Sequence, residues 1–239
     1  MAKPFLTAVW HTLVMLNYRI DPAILEPLVP PGTELDAFNG QHFVSIVGFR
    51  FTRTKVLGWS IPFHVNFDEV NLRFYIKKRA PDGWRRAVAF VKEVVPRWAV
   101  ATIAKQIYNE NYVALPMRSI VELPQGDAPG QAVYRWKHGH DWHELGASFA
   151  GGPKALVADS EEAFITEHYW GYVTQRDQSV VEYEVKHPSW RVWSATKSWF
   201  RCDVAVMYGS QFVEALNQPP ASAFVAEGSE ISVSKAMTA

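Results

Sequence analysis

The pattern of apolar and polar positions along the chain predicts a protein built mainly from strands. Eight segments are rich in β-branched and aromatic residues: 5–19, 43–52, 70–77, 84–95, 117–123, 132–136, 180–187 and 190–200. Two of them are separated by Pro81-Asp82-Gly83, which predicts a turn because proline presets φ and glycine accepts a positive φ.

Helical patterns are fewer and shorter. Asp21 followed by Pro22 is an N-cap with proline at the first helical position, which predicts a helix to Leu28. An apolar stripe predicts a helix over 97–110, and Asp159 with Glu162 resembles a capping box that opens a helix toward Tyr169. A further helix is expected over 204–216. Many strands with few crossover helices favour an α+β fold of predominantly antiparallel strands, as a sheet or barrel with flanking helices.

The composition indicates one globular domain with a large aromatic core. Aromatic residues make up 14% of the 239 residues, while charged residues make up 20%, below the usual value of about 25%. The stretches rich in proline and glycine are too short to be linkers, so we expect a single domain over residues 1–239. The formal net charge is +0, which argues against a general binder of nucleic acid or membrane surfaces.

The first residues and the cysteine content favour the cytoplasm. The start of the chain lacks the features of a secretory signal peptide, and the apolar stretch that follows is too short to span a bilayer. Cys202 is the only cysteine, so the chain forms no internal disulfide. The surplus of tryptophan and tyrosine also suits a subunit interface, which leaves a homo-oligomer open.

Two polar segments invite a functional interpretation that we do not favour. His138, His140 and His143 have a spacing that metal sites use, but Gly139 and Asp141 mark the segment as an exposed hairpin tip, and we expect no metal. The basic residues of 77–79 and 85–86 flank a predicted turn, where solvated cations are ordinary. We therefore expect no nucleic-acid partner and no cofactor.

The segment from Phe67 to Ile76 is the best candidate for a functional strand. From Glu69 onward the alternation is regular, with Glu69, Asn71, Arg73 and Tyr75 on one face. Before Glu69 the alternation has the opposite parity, which predicts a β-bulge or a bend at Asp68–Glu69. An exposed polar face is one interpretation; in a closed barrel the same face would be the interior.

The order and spacing of several short motifs resemble those of an uncharacterised bacterial family related to acetoacetate decarboxylase. They run from Trp10-His11-Thr12-Leu13 and the stretch 17–36, through Glu69-x-Asn71-x-Arg73-x-Tyr75-Ile76 and Tyr112-x-x-Leu115-Pro116, to Val185-x-His187-x-x-Trp190. The resemblance covers most of the chain. It implies a cone-shaped antiparallel β-barrel with helices outside and a central ligand cavity.

The resemblance implies site residues only where positions match. The decarboxylase uses a lysine as Schiff-base nucleophile, activated by a neighbouring cation, and that lysine falls on Met117, followed by Arg118. Glu69 matches a cavity glutamate, and a substrate-binding arginine falls on His11. Since a thioether forms no imine, decarboxylation through an imine is not expected. Lys92 and Lys105, the nearest lysines in sequence, remain open as substitutes.

We therefore predict a barrel that binds a small carboxylate or carbonyl compound. Glu69 and Arg118 are the predicted catalytic residues, and His11, Arg73, Tyr75 and Met117 the predicted ligand contacts, with Arg73 and Arg118 as anion partners. A carboxylate in an aromatic cavity is expected to have a raised pKa. A lyase, hydratase or isomerase without a Schiff base fits these groups, and a non-catalytic binding or sensor protein is the alternative.

Overall fold

A computed structural model describes residues 3–62, 64–96 and 111–239. The predicted helix over 97–110, together with Lys105, lies outside these residues. Within them the strands, β1 to β16 in chain order, are Leu6–Arg19, Glu34–Leu35, Phe43–Val56, Phe67–Ala80, Gly83–Val95, Tyr112–Ala114, Met117–Glu122, Gly130–His138, Asp141–Phe149, Lys154–Ala155, Trp170–Thr174, Val180–Lys186, Arg191–Arg201, Ser222–Ala226, Glu230–Val233 and Met237–Thr238.

Seven of these strands close into a barrel. The neighbours run β15-β12-β11-β5-β4-β3-β1, and the first half of β1 pairs with β15, from Leu6 opposite Val233 to Val9 opposite Glu230. The pairs are antiparallel apart from β5 with β11, and the short β6 also lies parallel to β5. The prediction of a mainly antiparallel, α+β fold is thus confirmed.

The second half of β1 belongs to an outer sheet. From Leu13 to Asn17 it pairs with β14, and the sheet continues through β13, β9, β8 and β7. The change of partner coincides with a β-bulge at Thr12, whose φ is 51°. A β-branched residue rarely adopts this conformation, so Thr12 stores backbone strain where the two sheets diverge.

Two apolar cores follow from this architecture. One lies between the barrel wall and the outer sheet, and its large buried side chains include Trp136, Phe149 and Phe212. The other lies inside the barrel and contains Phe49, Phe51, Phe67 and Tyr75 among others. Strands of the barrel are therefore apolar on both faces, which explains why 43–52 and 70–77 read as nearly continuous strand signals.

The short helices lie close to their predicted positions but differ in their ends. The α-helix Pro22–Leu25 begins after Asp21, whose carboxylate accepts a hydrogen bond from the backbone N–H of Ala23, and continues as the 3₁₀ turn Glu26–Leu28. The second helix is Glu161–Thr166, and its N-cap is Ser160 instead of Asp159.

The predicted helix over 204–216 is interrupted. It divides into Val204–Tyr208, the 3₁₀ turn Ser210–Phe212 and Val213–Leu216, because Gly209 takes a φ of 108° that an α-helix cannot contain. Among the described residues no helix combines the length and apolar character needed to cross a bilayer.

Candidate functional site

The barrel interior holds a cavity of about 160 Å³. Most of its wall is aromatic or aliphatic, and the polar groups come chiefly from β4 and β5. The described lining residues are Phe5, Leu6, Trp10, Leu13, Phe49, Phe51, Thr54, Val56, Ile61, His64, Phe67, Glu69, Asn71, Arg73, Phe90, Glu93, Tyr112, Tyr183, Val185 and Val233. A cavity of roughly 150 Å³ holds benzene, so a ligand of that size fits.

Strand β4 supplies one polar wall of the cavity. Glu69, Asn71 and Arg73 point inward with Phe67, while Asp68 lies on the outer face and forms an ion pair with Arg50 at 2.9 Å. The predicted bulge at Asp68–Glu69 is wrong, because β3 and β4 pair without a register shift through this point. Phe67 is simply the apolar member of the cavity face, and Asp68 the polar member of the outer face.

The irregularity in this hairpin lies elsewhere. Leu72 pairs with Lys92 and Arg73 with Phe90, so the extra residue is Val91 on β5. A bulge of this kind re-aims the side chains that follow it. On β5 it lies between two cavity side chains, Phe90 and Glu93.

Glu69 is buried and accepts hydrogen bonds from two of the described residues. Its side chain is 3% exposed, Asn71 Nδ2 donates to Oε1 at 2.9 Å, and the hydroxyl of Tyr112 donates to Oε2 at 3.4 Å. Burial disfavours the charged carboxylate, whereas hydrogen bonds to it favour that form. The raised pKa expected for Glu69 remains a prediction.

Glu93 is a second cavity carboxylate, which the sequence interpretation missed. It is 2% exposed and lies directly opposite Asn71 on the neighbouring strand, with Tyr112 opposite it on its other side. Glu93 lies inside the predicted strand 84–95, with Val91, Val94 and Val95 near it in sequence. That signal could have identified it, because a carboxylate buried on such a strand needs polar partners.

Arg73 extends from the same face as Glu69 and Asn71. Its Nη2 donates to the backbone carbonyl of Ile165 at 3.2 Å, and its guanidinium lies 5.7 Å from the centre of the Tyr75 ring. Its Nε is buried and has no hydrogen-bond partner among the described residues. The side chain is thus fixed in position with a donor still unused.

Tyr75 is buried inside the barrel but does not line the cavity. Its hydroxyl lies 2.6 Å from Ser45 Oγ, and Ser45 donates to the amide oxygen of Asn17 at 2.6 Å. These polar side chains satisfy one another, so Tyr75 packs against the cavity region instead of offering its hydroxyl to it.

Beyond Tyr75 lies a buried cluster of charged and aromatic groups. His168 contacts the Tyr75 ring at a centroid distance of 4.8 Å, and its Nε2 lies 3.3 Å from Asp36 Oδ2. Burial lowers the pKa of His168 to about 4, although the hydrogen bond to Asp36 opposes this. Burial also opposes the ionisation of Asp36, but hydrogen bonds from His168 and Arg86 lower the pKa of Asp36 to about 2.

Three other predicted site residues lie away from the cavity. His11 is on the outer face of β1, where its Nε2 lies 2.8 Å from Thr52 Oγ1, and burial with nearby Arg53 and Arg50 lowers its pKa. Met117 packs against the core under the outer sheet, and Arg118 is exposed over the Trp142 ring. The structure brings Glu69 and Arg73 together but not Glu69 and Arg118.

Lys92 also faces away from the cavity. Its Nζ donates to the backbone carbonyl of Met207 in the outer layer, and burial lowers its pKa. None of the described cavity-lining residues is a lysine.

The histidine-rich hairpin does not assemble a metal site. His138 and His140 are exposed at the tip, while His143 is buried beside Trp136 and accepts from the backbone N–H of Asp203. Across residues 3–62, 64–96 and 111–239, no three His, Cys, Asp or Glu side chains are grouped as ligands.

The basic hairpin is largely neutralised by the protein itself. Four of its five cations form ion pairs with carboxylates: Lys77 with Glu34, Lys78 and Arg85 with Glu182, and Arg86 with Asp36. The fifth, Arg79, lies over the ring of Trp84. Each of these cations therefore already contacts a carboxylate or an aromatic ring of the protein.

Gly171 makes room for Tyr183, a residue that lines the cavity. It lies beside Tyr183 in the register of β11 and β12, and a Cβ at this position would overlap the Tyr183 ring. We expect Gly171→Ala to lower the free energy of unfolding by about 1–3 kcal/mol, measured by denaturant unfolding. Gly152→Ala is the matched control, because nothing lies near a Cβ there. An equal cost in a Tyr183→Val background would contradict this explanation.

Comparison with known proteins identifies relatives of the chain. The model of DUF2071, described as an uncharacterized conserved protein, matches residues 7–230. The chain is also similar to the uncharacterized protein YqjF of Bacillus subtilis (strain 168), with 27% identity over 187 residues, which is 78% of this chain and 74% of YqjF.

Solved structures share the fold at low identity. The enduracididine biosynthesis enzyme MppR complexed with pyruvate superposes with a TM-score of 0.70 at 14% identity, covering 100% of this chain and 91% of MppR. Acetoacetate decarboxylase from Legionella pneumophila superposes with a TM-score of 0.68 at 11% identity, and the match covers 100% of this chain and 88% of the decarboxylase. An acetoacetate decarboxylase-like enzyme from Sphingomonas wittichii RW1 superposes with a TM-score of 0.65 at 12% identity, and the match covers 100% of this chain and 94% of that enzyme. The predicted barrel of the acetoacetate decarboxylase type is thereby confirmed.

Proposed function

Since this chain belongs to the DUF2071 family of uncharacterized conserved proteins, we propose its function from the cavity: it binds a small carboxylate or carbonyl compound and performs acid/base chemistry on it without a Schiff base. The observation that carries this proposal is the shared wall of Glu69 and Arg73. A buried carboxylate and a guanidinium lie on one face of β4, in the wall of a mostly apolar cavity. Such convergence of a few polar groups in an apolar pocket is typical of ligand sites.

The chemistry we assign to these groups is proton transfer next to a carbonyl. Glu69 removes a proton from the carbon beside the carbonyl, and the electron pair moves onto the carbonyl oxygen. The guanidinium of Arg73 stabilises that oxygen, because fixed donors in a water-poor site act strongly on developing charge. Returning the proton to another position gives isomerisation, and loss of a neighbouring group gives elimination.

The exclusion of an imine rests on one observation about side chains: no described cavity-lining residue is a lysine. An amine nucleophile also has to be desolvated or placed beside a cation. The residues of the cavity therefore support activation of a carbonyl group by hydrogen bonds, without a covalent bond to the protein.

Pyruvate is the first probe, because MppR, a protein of the same fold, was solved complexed with pyruvate. In D₂O the protein is expected to exchange the methyl protons of pyruvate, seen as loss of the methyl signal by proton NMR. Borohydride added to the same mixture is expected to give no mass adduct. An adduct on a lysine, Lys105 included, would replace the proposed mechanism with an imine.

A non-catalytic binding protein is the second candidate, favoured by the lack of a lysine among the described cavity-lining residues. Saturable binding of pyruvate without methyl-proton exchange would select it.

Either function is proposed for the cytoplasm, where the single thiol of Cys202 stays reduced. Burial raises the pKa of this thiol to about 12, which fits a structural residue.

A further inference from the structure

Two side chains of the polar wall carry buried atoms without hydrogen-bond partners among the described residues. One is the amide oxygen Oδ1 of Asn71, and the other is Nε of Arg73. Native proteins pair nearly all such atoms, and each exception calls for an explanation. Both residues line the same cavity, so an occupant of the cavity is the simplest group to complete them.

The orientation of the Asn71 amide determines what that occupant offers. Asn71 Nδ2 donates to Glu69 Oε1 at 2.9 Å, and the flipped amide would instead place two acceptors against each other. The free atom of Asn71 is therefore the acceptor. An acceptor is completed by a donor, so the occupant has to donate a hydrogen bond to Asn71 Oδ1. Glu93, which lies opposite Asn71 in register, adds a second carboxylate to this side of the cavity.

Arg73 requires the complementary group. Its Nη2 is held by the carbonyl of Ile165 at 3.2 Å, which leaves Nε as a charged donor directed by a fixed side chain. A guanidinium edge with an unused donor matches a carboxylate, which accepts two parallel hydrogen bonds.

Asn71 and Arg73 are close enough along β4 to contact one small molecule. Asn71 and Arg73 are two residues apart on one face of a strand, about 6.7 Å between Cα atoms. We propose that the ligand is a short carboxylic acid with a hydrogen-bond donor, a hydroxyl or an ammonium, within two carbons of its carboxylate. This inference rests on the proposed function and names its substrate class. Pyruvate and other oxo acids lack that donor, so we expect them to bind more weakly than this class while their protons are still exchanged.

A matched series of four-carbon acids tests the proposal on the wild-type protein. It contains butanoate, 2-oxobutanoate, 2-hydroxybutanoate, 3-hydroxybutanoate and 2-aminobutanoate, with dissociation constants measured by calorimetry or ligand-observed NMR. At least one hydroxy or amino acid is expected to bind about tenfold or more tightly than butanoate and the oxo acid. The better of the hydroxy and amino acids identifies the donor as a hydroxyl or an ammonium.

Two variants separate the contributions of Asn71 and Arg73. Asn71→Leu, or Asn71→Ser if the first unfolds, is expected to remove the preference for the donor-bearing acids while butanoate binding is kept. Arg73→Met is expected to weaken all the acids while the preference remains. Asp68→Asn, on the outer face of the same strand, controls for general effects.

The outcomes that overturn the inference differ from those that overturn the proposed function. Equal binding of butanoate, oxo and hydroxy acids, or a preference that survives in both Asn71 variants, removes the donor assignment and leaves a carboxylate site. Binding of none of the acids, with folded protein confirmed by its melting transition, removes both.

Discussion

Replacement of Glu69 by glutamine is expected to slow the exchange of pyruvate methyl protons about 10²–10⁴-fold, the range that a positioned general base contributes. Glutamine has nearly the same shape, and its amide oxygen can still accept the hydrogen bond from Asn71 Nδ2. It cannot accept a proton from carbon. Pyruvate binding is therefore expected to change little, and the loss should appear in the rate of exchange at saturation.

Asp68→Asn is the matched control for this variant. Asp68 is the neighbouring residue of β4 and is also a buried carboxylate, but it lies on the outer face, paired with Arg50. Both variants remove one carboxylate from the same strand, so a general effect of charge or stability would appear in both. Exchange that persists at the wild-type rate in Glu69→Gln would transfer the role of base to another group, with Glu93 the nearest carboxylate in register.

Stability is expected to fall as the pH decreases from about 6.5 to 4, with His168 as a main cause. The pKa of this buried histidine is about 4 in the folded protein, against an ordinary value near 6.5. In that pH window the unfolded chain therefore binds a proton that the folded protein does not. When the pKa of a group is lower in the folded protein than in the unfolded chain, its full contribution to the free energy of unfolding is present above the unfolded pKa. That contribution is lost as the pH falls toward the folded pKa.

The size of this effect follows from one proton. Each pH unit in the window corresponds to about 1.4 kcal/mol, so His168 accounts for about 3 kcal/mol of lost free energy of unfolding between pH 6.5 and 4. His11, His143 and His187 also have lowered pKa values, each through burial first, and they act in the same direction. These histidines add to the contribution of His168.

His168→Gln isolates that contribution. We expect the variant to be less stable at pH 7, because it loses the contact with Asp36, but to depend less on pH between 6.5 and 4. Urea unfolding at several pH values measures both quantities. His140→Gln is the control, since His140 is exposed at a hairpin tip. A slope that is the same in His168→Gln and wild type would show that His168 is not the titrating group.

The sequence predicted the strand positions well because the barrel strands are apolar on both faces. The extended signal over 43–52 becomes β3, Phe43–Val56, whose residues face the cavity on one side and the outer sheet on the other. Some shorter strands were missed. Trp170–Thr174 directly follows the helix predicted toward Tyr169 and was not predicted as a strand, although it is a barrel strand that contains Gly171.

The cavity face was predictable only in part. Regular alternation placed Glu69, Asn71 and Arg73 together, as the structure has them. The same rule gave a false bulge at Asp68, because it equates apolar with inside, whereas this cavity face carries both Phe67 and Glu69. Periodicity reports which side chains share a face, and it does not report which face encloses the cavity.

The remaining site residues depend on contacts between distant parts of the chain. Met117 and Arg118 were assigned by their place in a motif, but β7 pairs with β8 at the edge of the outer sheet and carries them away from the cavity. Tyr112 reaches Glu69 because β6 lies parallel to β5, and local sequence does not encode that pairing.

Closure of the barrel by β1 and β15 has a consequence for folding. The first strand pairs with the fifteenth, from Leu6 opposite Val233 to Val9 opposite Glu230, so the last seam joins segments separated by nearly the whole sequence. Contacts of such long range make folding slow. During synthesis, the wall that carries Glu69 and Arg73 emerges from the ribosome long before the strand that seals the barrel. The polar wall is therefore not enclosed until β15 arrives, and the cavity is complete only in the last stage of folding.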